Sequence, residues 1–181
     1  MPAFIQSLHA LYTRSFAYLA AGWFADLLAL LARLTLAGVF WRSLLTKVET
    51  VKLFKYTEYI NDFPVERAHM RLPAFPLEIR PATYHQFNGD FALPLIPGEL
   101  AAVLATLGEF VLPILLLLGL VTRLAASGLL VMTLVIQVFV YPDAWWGTHA
   151  LWAVICLFLM SRGPGRLSFD HMFSNRFASK A

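Results

Sequence analysis

The chain has 181 residues, of which 59% are hydrophobic and only 14% are charged, and its formal net charge is +3. Soluble domains average about 45–50% apolar and about 25% charged residues, so this composition excludes an ordinary soluble domain. It predicts a single all-α integral membrane domain over residues 1–181. The small basic excess fits arginines at a membrane surface and indicates no nucleic-acid partner.

Residues 1–21 predict an amphipathic helix that lies in the membrane interface. Apolar side chains recur at three- and four-residue spacing with polar ones between them; the apolar positions are Phe4, Ile5, Leu8, Leu11, Tyr12, Phe16 and Leu19. No basic segment precedes an apolar core, so we expect no signal peptide. The alternative interpretation is a longer, bent first membrane helix.

Four apolar segments are long enough to cross the hydrocarbon core, which takes about 20 residues of helix. They cover residues 23–45, 99–120, 123–141 and 145–161. The last two are joined only by a short turn rich in aromatic residues, as expected at a membrane–water interface. The fold class we predict is therefore a four-transmembrane-helix bundle in contact with the lipid bilayer.

A long, proline-rich outer loop over residues 46–97 separates the first two membrane helices. Its first part, VETVKLFKYTEYINDF at residues 48–63, predicts a short amphipathic helix. Over residues 60–97 the prolines favour extended chain and turns, and the many aromatic residues favour an ordered cap on the mouth of the bundle. A mobile linker is the alternative.

Basic residues near the helix ends predict which side of the membrane each terminus occupies. With four crossings both termini share a side, and that side carries Arg14, Arg123, Arg162, Arg166, Arg176 and Lys180. The turn between the last two helices carries no basic residue, whereas the outer loop carries several that oppose the assignment. We expect a multi-pass protein of the bacterial inner membrane with both termini, including the tail at 162–181, in the cytoplasm.

Glu109 lies near the middle of the second crossing, where an acidic residue costs about 2.5–3.5 kcal/mol on insertion scales. It shares a helix stripe with the small residues Gly98, Ala102 and Ala105, which favour close helix packing. Pro113 has no N–H, so the carbonyl of Glu109 loses its usual donor. Glu109 is therefore predicted to face the bundle interior, either in a functional site or in an interhelical hydrogen bond that only fixes packing.

Arg33 lies at a similar depth in the first crossing, and we predict that it pairs with Glu109. Together with His149 and Gln137 these residues form a predicted intramembrane polar site. Its predicted lining is Trp145, Trp152 and Pro113. The alternative for His149 is a satisfied histidine within an aromatic packing face.

Metal and haem sites are not expected. Only His149 falls in or beside a crossing, and no carboxylate–histidine pair has metal-ligand spacing within a crossing. Cys156 is the only cysteine, so an internal disulfide and a two-cysteine redox motif are excluded.

Three motifs resemble those of DoxX-type membrane proteins: an Arg-bearing first helix that ends near a lysine, a Glu-bearing second helix that runs into G-x-x-T-R-L-A, and a G-P-G-R-x-S-x-D tail. Besides Arg33 and Glu109, they fall on Lys47, Gly119, Thr122, Arg123, Gly163, Pro164, Gly165, Arg166, Ser168 and Asp170. The long 60–97 segment departs from the short connection usual in that family. The resemblance implies a four-helix inner-membrane protein linked to membrane redox complexes, including thiosulfate oxidation that delivers electrons to quinone.

The function we expect is that of a small subunit of a quinone-linked redox assembly, with quinone as the cofactor and with a protein partner or a second copy of the chain. The catalytic residues cannot be named from the sequence, and the chain fits an accessory subunit as well as an enzyme. One alternative is a non-catalytic scaffold or assembly partner for another membrane or periplasmic protein. A carrier of small solutes or metal ions is weaker, because four helices offer little pathway.

Overall fold

The computed structural model describes residues 3–20 and 22–178. Within them it contains the following helices and strands: α1 (Ala3–Ala20), α2 (Trp23–Lys47), β1 (Thr50–Ile60), β2 (Phe63–Pro73), α3 (Pro81–Asn88), α4 (Gly98–Leu118), α5 (Thr122–Phe139), α6 (Ala150–Arg162) and α7 (Phe169–Ala178). Residues 1, 2 and 21 of the predicted first helix, residues 179–181 of the predicted tail, and the side chains of Phe4, Arg14 and Leu19 lie outside the described residues.

The prediction of four membrane-spanning helices is confirmed. The spans are Trp23–Lys47, Gly98–Leu118, Thr122–Phe139 and Pro142–Arg162. The ends predicted from the sequence differ from these by no more than three residues. The last span begins with a 3-10 turn at Pro142–Ala144 and a π-helical turn at Trp145–His149, which lead directly into α6.

The four spans pack into an antiparallel bundle in which α2 contacts α4 and α6, and α5 contacts α4 and α6. Its core is apolar and closely packed; the buried members are Leu36, Ala37, Phe40, Leu116, Ala125, Ala126, Leu129, Cys156 and Leu159. We call the end with the outer connection the loop end, and the end with the α4–α5 turn and α7 the tail end.

The last carbonyls of α2 are capped by the outer connection. The carbonyl of Lys47 accepts hydrogen bonds from the Arg80 N–H (3.0 Å) and from the Thr83 hydroxyl (2.9 Å). An isolated β-bridge joins Val48 to Ile79 beside them. Because helix C-termini leave unpaired carbonyls, these bonds fix the position of Lys47 at the loop end.

The predicted short helix over residues 48–63 is wrong, because this segment forms strand β1 and a turn. β1 and β2 pair in an antiparallel hairpin from Thr50↔Pro73 to Ile60↔Phe63. Residues 61 and 62, Asn and Asp, have positive φ angles of 48° and 65°, as a two-residue hairpin turn of type I′ requires. β-Branched and aromatic residues in β1 favour the strand over the helix.

The rest of the outer connection lies over the loop end. α3 begins with Pro81, a residue suited to the first helical position, and packs against α4. Phe87 is buried there against Ala101 and Ala102. A short helix and aromatic contacts, rather than extended chain alone, therefore cover this mouth of the bundle.

At the tail end, α7 is fastened to the α4–α5 turn. The Asp170 carboxylate accepts hydrogen bonds from the backbone N–H groups of Val121 (2.7 Å) and Thr122 (2.9 Å), and the Asp170 N–H donates to the carbonyl of Gly119 (2.9 Å). Gly119 has a φ of 65°, and a Cβ there would collide with Arg33 and Ser168. The turn therefore requires glycine at position 119.

Replacement of Asp170 by alanine should destabilise the protein by about 1–2 kcal/mol, because two N–H groups at the start of α5 lose their acceptor. Thermal unfolding in detergent measures the loss. The matched control is Asp143→Ala, since Asp143 is exposed in the turn before α6. Equal melting temperatures for the two variants would contradict the capping role.

Candidate functional site

A cavity of about 500 Å³ lies at the loop end between α2, α4, α5 and α6, with α3 and residues 91–96 beside it. We call it the loop-end cavity. Its apolar and aromatic lining includes Phe40, Phe87, Phe91, Val135 and Trp152. Its polar lining is Ser43, Thr46, Lys47, Gln86, Glu109, Tyr141 and His149. Concave, mostly apolar pockets with a few polar groups are typical of small-molecule sites.

Glu109 is held on one side of this cavity by two residues of α2. Its Oε1 atom accepts hydrogen bonds from the Lys47 ammonium (3.0 Å) and the Ser43 hydroxyl (2.8 Å). The Lys47 ammonium also donates to the Ser43 oxygen (2.8 Å). Glu109 is only 2% exposed, so this ion pair and the added hydrogen bond offset the desolvation of the carboxylate.

The second carboxylate oxygen of Glu109 has no such partner. Oε2 is buried and accepts no hydrogen bond from any described residue. An unsatisfied buried polar atom costs about 1–3 kcal/mol. The carboxylate therefore presents a strong acceptor that a donor on a bound molecule would satisfy.

His149 supplies a second acceptor to the cavity. The Gln137 amide nitrogen donates to the Pro142 carbonyl (2.6 Å), which fixes the orientation of the amide. The amide oxygen then lies 2.7 Å from His149 Nδ1, so Nδ1 carries a hydrogen and donates to it. In the neutral ring Nε2 is consequently an acceptor, and no hydrogen bond from a described residue reaches it.

Aromatic rings line the cavity between these polar groups. The Trp152 ring lies 5.1 Å from that of His149 and 5.6 Å from that of Phe40, measured between ring centroids. Phe91 and Tyr141 make a further edge contact at 5.6 Å. Such an arrangement suits a flat ring, since aromatic side chains prefer offset or edge contacts with other rings.

The predicted pairing of Arg33 with Glu109 is wrong. Ser43, not Arg33, lies level with Glu109, and Arg33 is ten residues earlier on α2, about 15 Å away at 1.5 Å per residue. The Arg33 guanidinium donates instead to the carbonyls of Leu116 (3.5 Å) and Leu167 at the tail end. Arg33 therefore joins α2, the end of α4 and the tail, outside the cavity.

The other predicted residues divide between the two ends of the bundle. Glu109, His149 and Trp152 line the loop-end cavity, and Gln137 orients His149 from behind it. Trp145 and Pro113 are not among the residues that line it.

Sequence reasoning missed Ser43 and named Lys47 only as a motif residue. Their spacing of four residues on α2 was the signal that they share a helix face. The other family-motif residues gather at the tail end: Arg123, Gly163, Pro164, Gly165, Arg166, Ser168 and Asp170.

Replacement of Lys47 by methionine should destabilise the protein by about 3–5 kcal/mol, because the buried Glu109 carboxylate loses its counter-charge. The double change Lys47→Met with Glu109→Leu should be milder than the sum of the two single changes. Unfolding of the variants in detergent, treated as a double-mutant cycle, measures the coupling.

The matched control is the cycle of Arg33→Leu with Glu109→Leu, whose losses should add within about 0.3–0.5 kcal/mol because the residues do not meet. Additive losses in the Lys47–Glu109 cycle would contradict the ion pair.

The DoxX family model matches residues 28–142, which include most of α2, the hairpin, α3, α4, α5 and the start of the turn before α6. No curated protein and no solved structure gave a match. Within residues 3–20 and 22–178, no cluster of three or more His, Cys, Asp or Glu side chains is placed to hold a metal ion.

Proposed function

The chain belongs to the DoxX family of membrane proteins, and we propose that it binds the head group of a membrane quinone in the loop-end cavity. In this proposal it is a small subunit of a quinone-linked redox assembly. A quinone carries two electrons and two protons between its dione and dihydroxy forms. The chain supplies the binding site and the proton acceptors, and a partner subunit supplies or removes the electrons.

One observation carries the proposal. Two acceptors, the buried Glu109 Oε2 and His149 Nε2, belong to residues that line a cavity with aromatic walls, and neither receives a hydrogen bond from a described residue. A ring with two hydroxyl groups offers two donors on a flat apolar frame. The reduced head group therefore fits the polar groups of the cavity better than the dione, which has no donor.

The residues take distinct roles in this proposal. Glu109 accepts a hydrogen bond, and then a proton, from one hydroxyl of the reduced head group, while His149 does the same for the other. Lys47 holds Glu109 in its charged form through the 3.0 Å contact, and Gln137 holds His149 in the tautomer with a free Nε2. Trp152 packs beside the ring. General bases of this kind act when they lie within hydrogen-bond reach of the proton.

We also propose that the protein lies in the bacterial inner membrane with both termini in the cytoplasm. The tail end carries Arg123, Arg162 and Arg166, as the positive-inside rule expects of a cytoplasmic face. α1 then lies in the interface on that side, and its exposed apolar side chains Ile5, Leu8, Leu11, Tyr12 and Phe16 contact lipid. The loop-end cavity lies toward the periplasmic face.

The quinone proposal predicts that the purified chain binds a short-tailed benzohydroquinone about tenfold more tightly than the matching benzoquinone, because only the former can donate hydrogen bonds to Glu109 Oε2 and His149 Nε2. Quenching of tryptophan fluorescence under anaerobic conditions measures both affinities. His149→Phe keeps a ring of similar size but removes the acceptor, so the preference for the reduced form should fall.

His85→Phe is the matched control, since His85 is exposed on α3 and does not line the cavity. Equal binding of both forms, or an unchanged preference in His149→Phe, would contradict the assigned acceptors. Absence of binding by either form would contradict the quinone proposal itself.

The orientation predicts that a cysteine at position 143, in the exposed turn before α6, reacts with a membrane-impermeant maleimide from the periplasmic side. A cysteine at position 174, exposed on α7, should react only after the membrane is made permeable. The native Cys156 is fully buried and gives little background. The opposite pattern would reverse the orientation.

A scaffold role is the second candidate, and the hairpin favours it. Phe54, Tyr59 and Phe63 are each more than 70% exposed there, and exposed apolar patches often mark interaction surfaces. Isolation of the chain in gentle detergent separates the two functions. Co-purified quinone favours the redox subunit, whereas a stoichiometric protein partner without quinone favours the scaffold.

A further inference from the structure

A groove of about 590 Å³ lies at the tail end. Its lining includes DoxX-motif residues that have no role in the quinone proposal. Three separate parts of the chain form it: the start of α2, the start of α5, and the segment from the end of α6 into α7. Its lining includes Asp26, Thr122, Arg123, Arg162, Arg166 and Asp170. We call it the tail-end groove.

The groove contains three arginines and two aspartates, but both aspartates are already engaged. Asp26 accepts hydrogen bonds from the Arg166 backbone N–H (2.8 Å) and from Arg166 Nε (2.6 Å). Asp170 accepts the two N–H groups at the start of α5. Arg123 is exposed and makes no ion pair with any described residue, so its charge is available to an anion.

Thr122 gives an independent sign of a ligand. Its side chain is fully buried, it lines the groove, and its hydroxyl has no hydrogen-bond partner among the described residues. Buried hydroxyl groups are normally paired. A phosphate oxygen beside Arg123 would accept the Thr122 hydroxyl hydrogen and a charge-assisted hydrogen bond from the guanidinium.

We propose that the tail-end groove binds the phosphate group of an anionic phospholipid. α2 and α5 begin here and α4 and α6 end here, so the groove lies at the level where the membrane spans meet the headgroups. Exposed apolar side chains lie on the elements that form the groove: Leu124 lines it, and Phe169, Met172 and Phe173 lie on α7. They fit acyl chains and favour a lipid over a soluble phosphate compound.

Native mass spectrometry of the full chain in detergent, titrated with phosphatidylglycerol or phosphatidylcholine, tests the site. Phosphatidylglycerol should bind more tightly, and Arg123→Gln should weaken its binding about fivefold, as expected for loss of one basic residue at a lipid surface. Arg71→Gln removes the same charge from the exposed hairpin at the loop end and should leave this binding unchanged.

Thr122→Val separates ligand binding from a structural role. The hydroxyl stabilises nothing in the described protein, so the melting temperature without lipid should not fall, whereas binding of phosphatidylglycerol should weaken. Equal binding of the two lipids, or unchanged binding in both Arg123→Gln and Thr122→Val, would overturn the site. Displacement of the lipid by soluble glycerol phosphate at equal concentration would overturn the lipid as its ligand.

Discussion

The cluster of Lys47, Ser43 and Glu109 is the constraint on which the loop end depends. A carboxylate inside a membrane bundle is tolerated only where a cation or donors compensate its lost hydration. Here both come from the last turn of α2, which fixes the level of α2 against α4. Lys47 in turn is held through its own carbonyl by Arg80 and Thr83. The charge pair therefore connects the bundle, the outer connection and the cavity.

At the tail end, a buried arginine is stabilised by backbone carbonyls. Arg33 is 1% exposed and makes no ion pair within the described residues, but it donates to the carbonyls of Leu116 and Leu167. Leu116 lies in the last turn of α4, where the helix dipole is negative and favours a cation. Arg33 thus closes the end of α4 and fastens the tail, while Lys47 neutralises Glu109. Arg33 and the Lys47–Glu109 pair therefore act at opposite ends of the same bundle.

The four spans were predictable because long apolar stretches have few other structures open to them in a membrane protein. The interior position of Glu109 was predictable for the same energetic reason. Its partner was not, because the level of α2 against α4 depends on tertiary contacts, here those of Ser43 and Lys47 with Glu109. From the sequence, the depth of a residue could be judged only from the ends of its own helix. By that measure Arg33 and Glu109 lie at similar depths.

The hairpin was not predicted because the pattern of its apolar residues fits a helix as well as a strand. Leu53, Tyr56 and Ile60 recur at helical spacing, yet the same segment is rich in β-branched and aromatic residues that favour strands. The Asn61–Asp62 pair was the deciding signal, since both residues tolerate the positive φ of a tight hairpin turn. Local turn chemistry outweighed an ambiguous hydrophobic pattern.

The long outer connection divides into two parts with different relations to the cavity. Residues 74–97 are integral to it, because they cap α2 behind Lys47 and bring Phe87 and Phe91 to its lining. The hairpin begins and ends at one place, where Thr50 pairs with Pro73, and none of its residues lines the cavity. The connection therefore has two distinct parts: a cover that completes the polar site, and an exposed hairpin whose apolar side chains do not line the cavity.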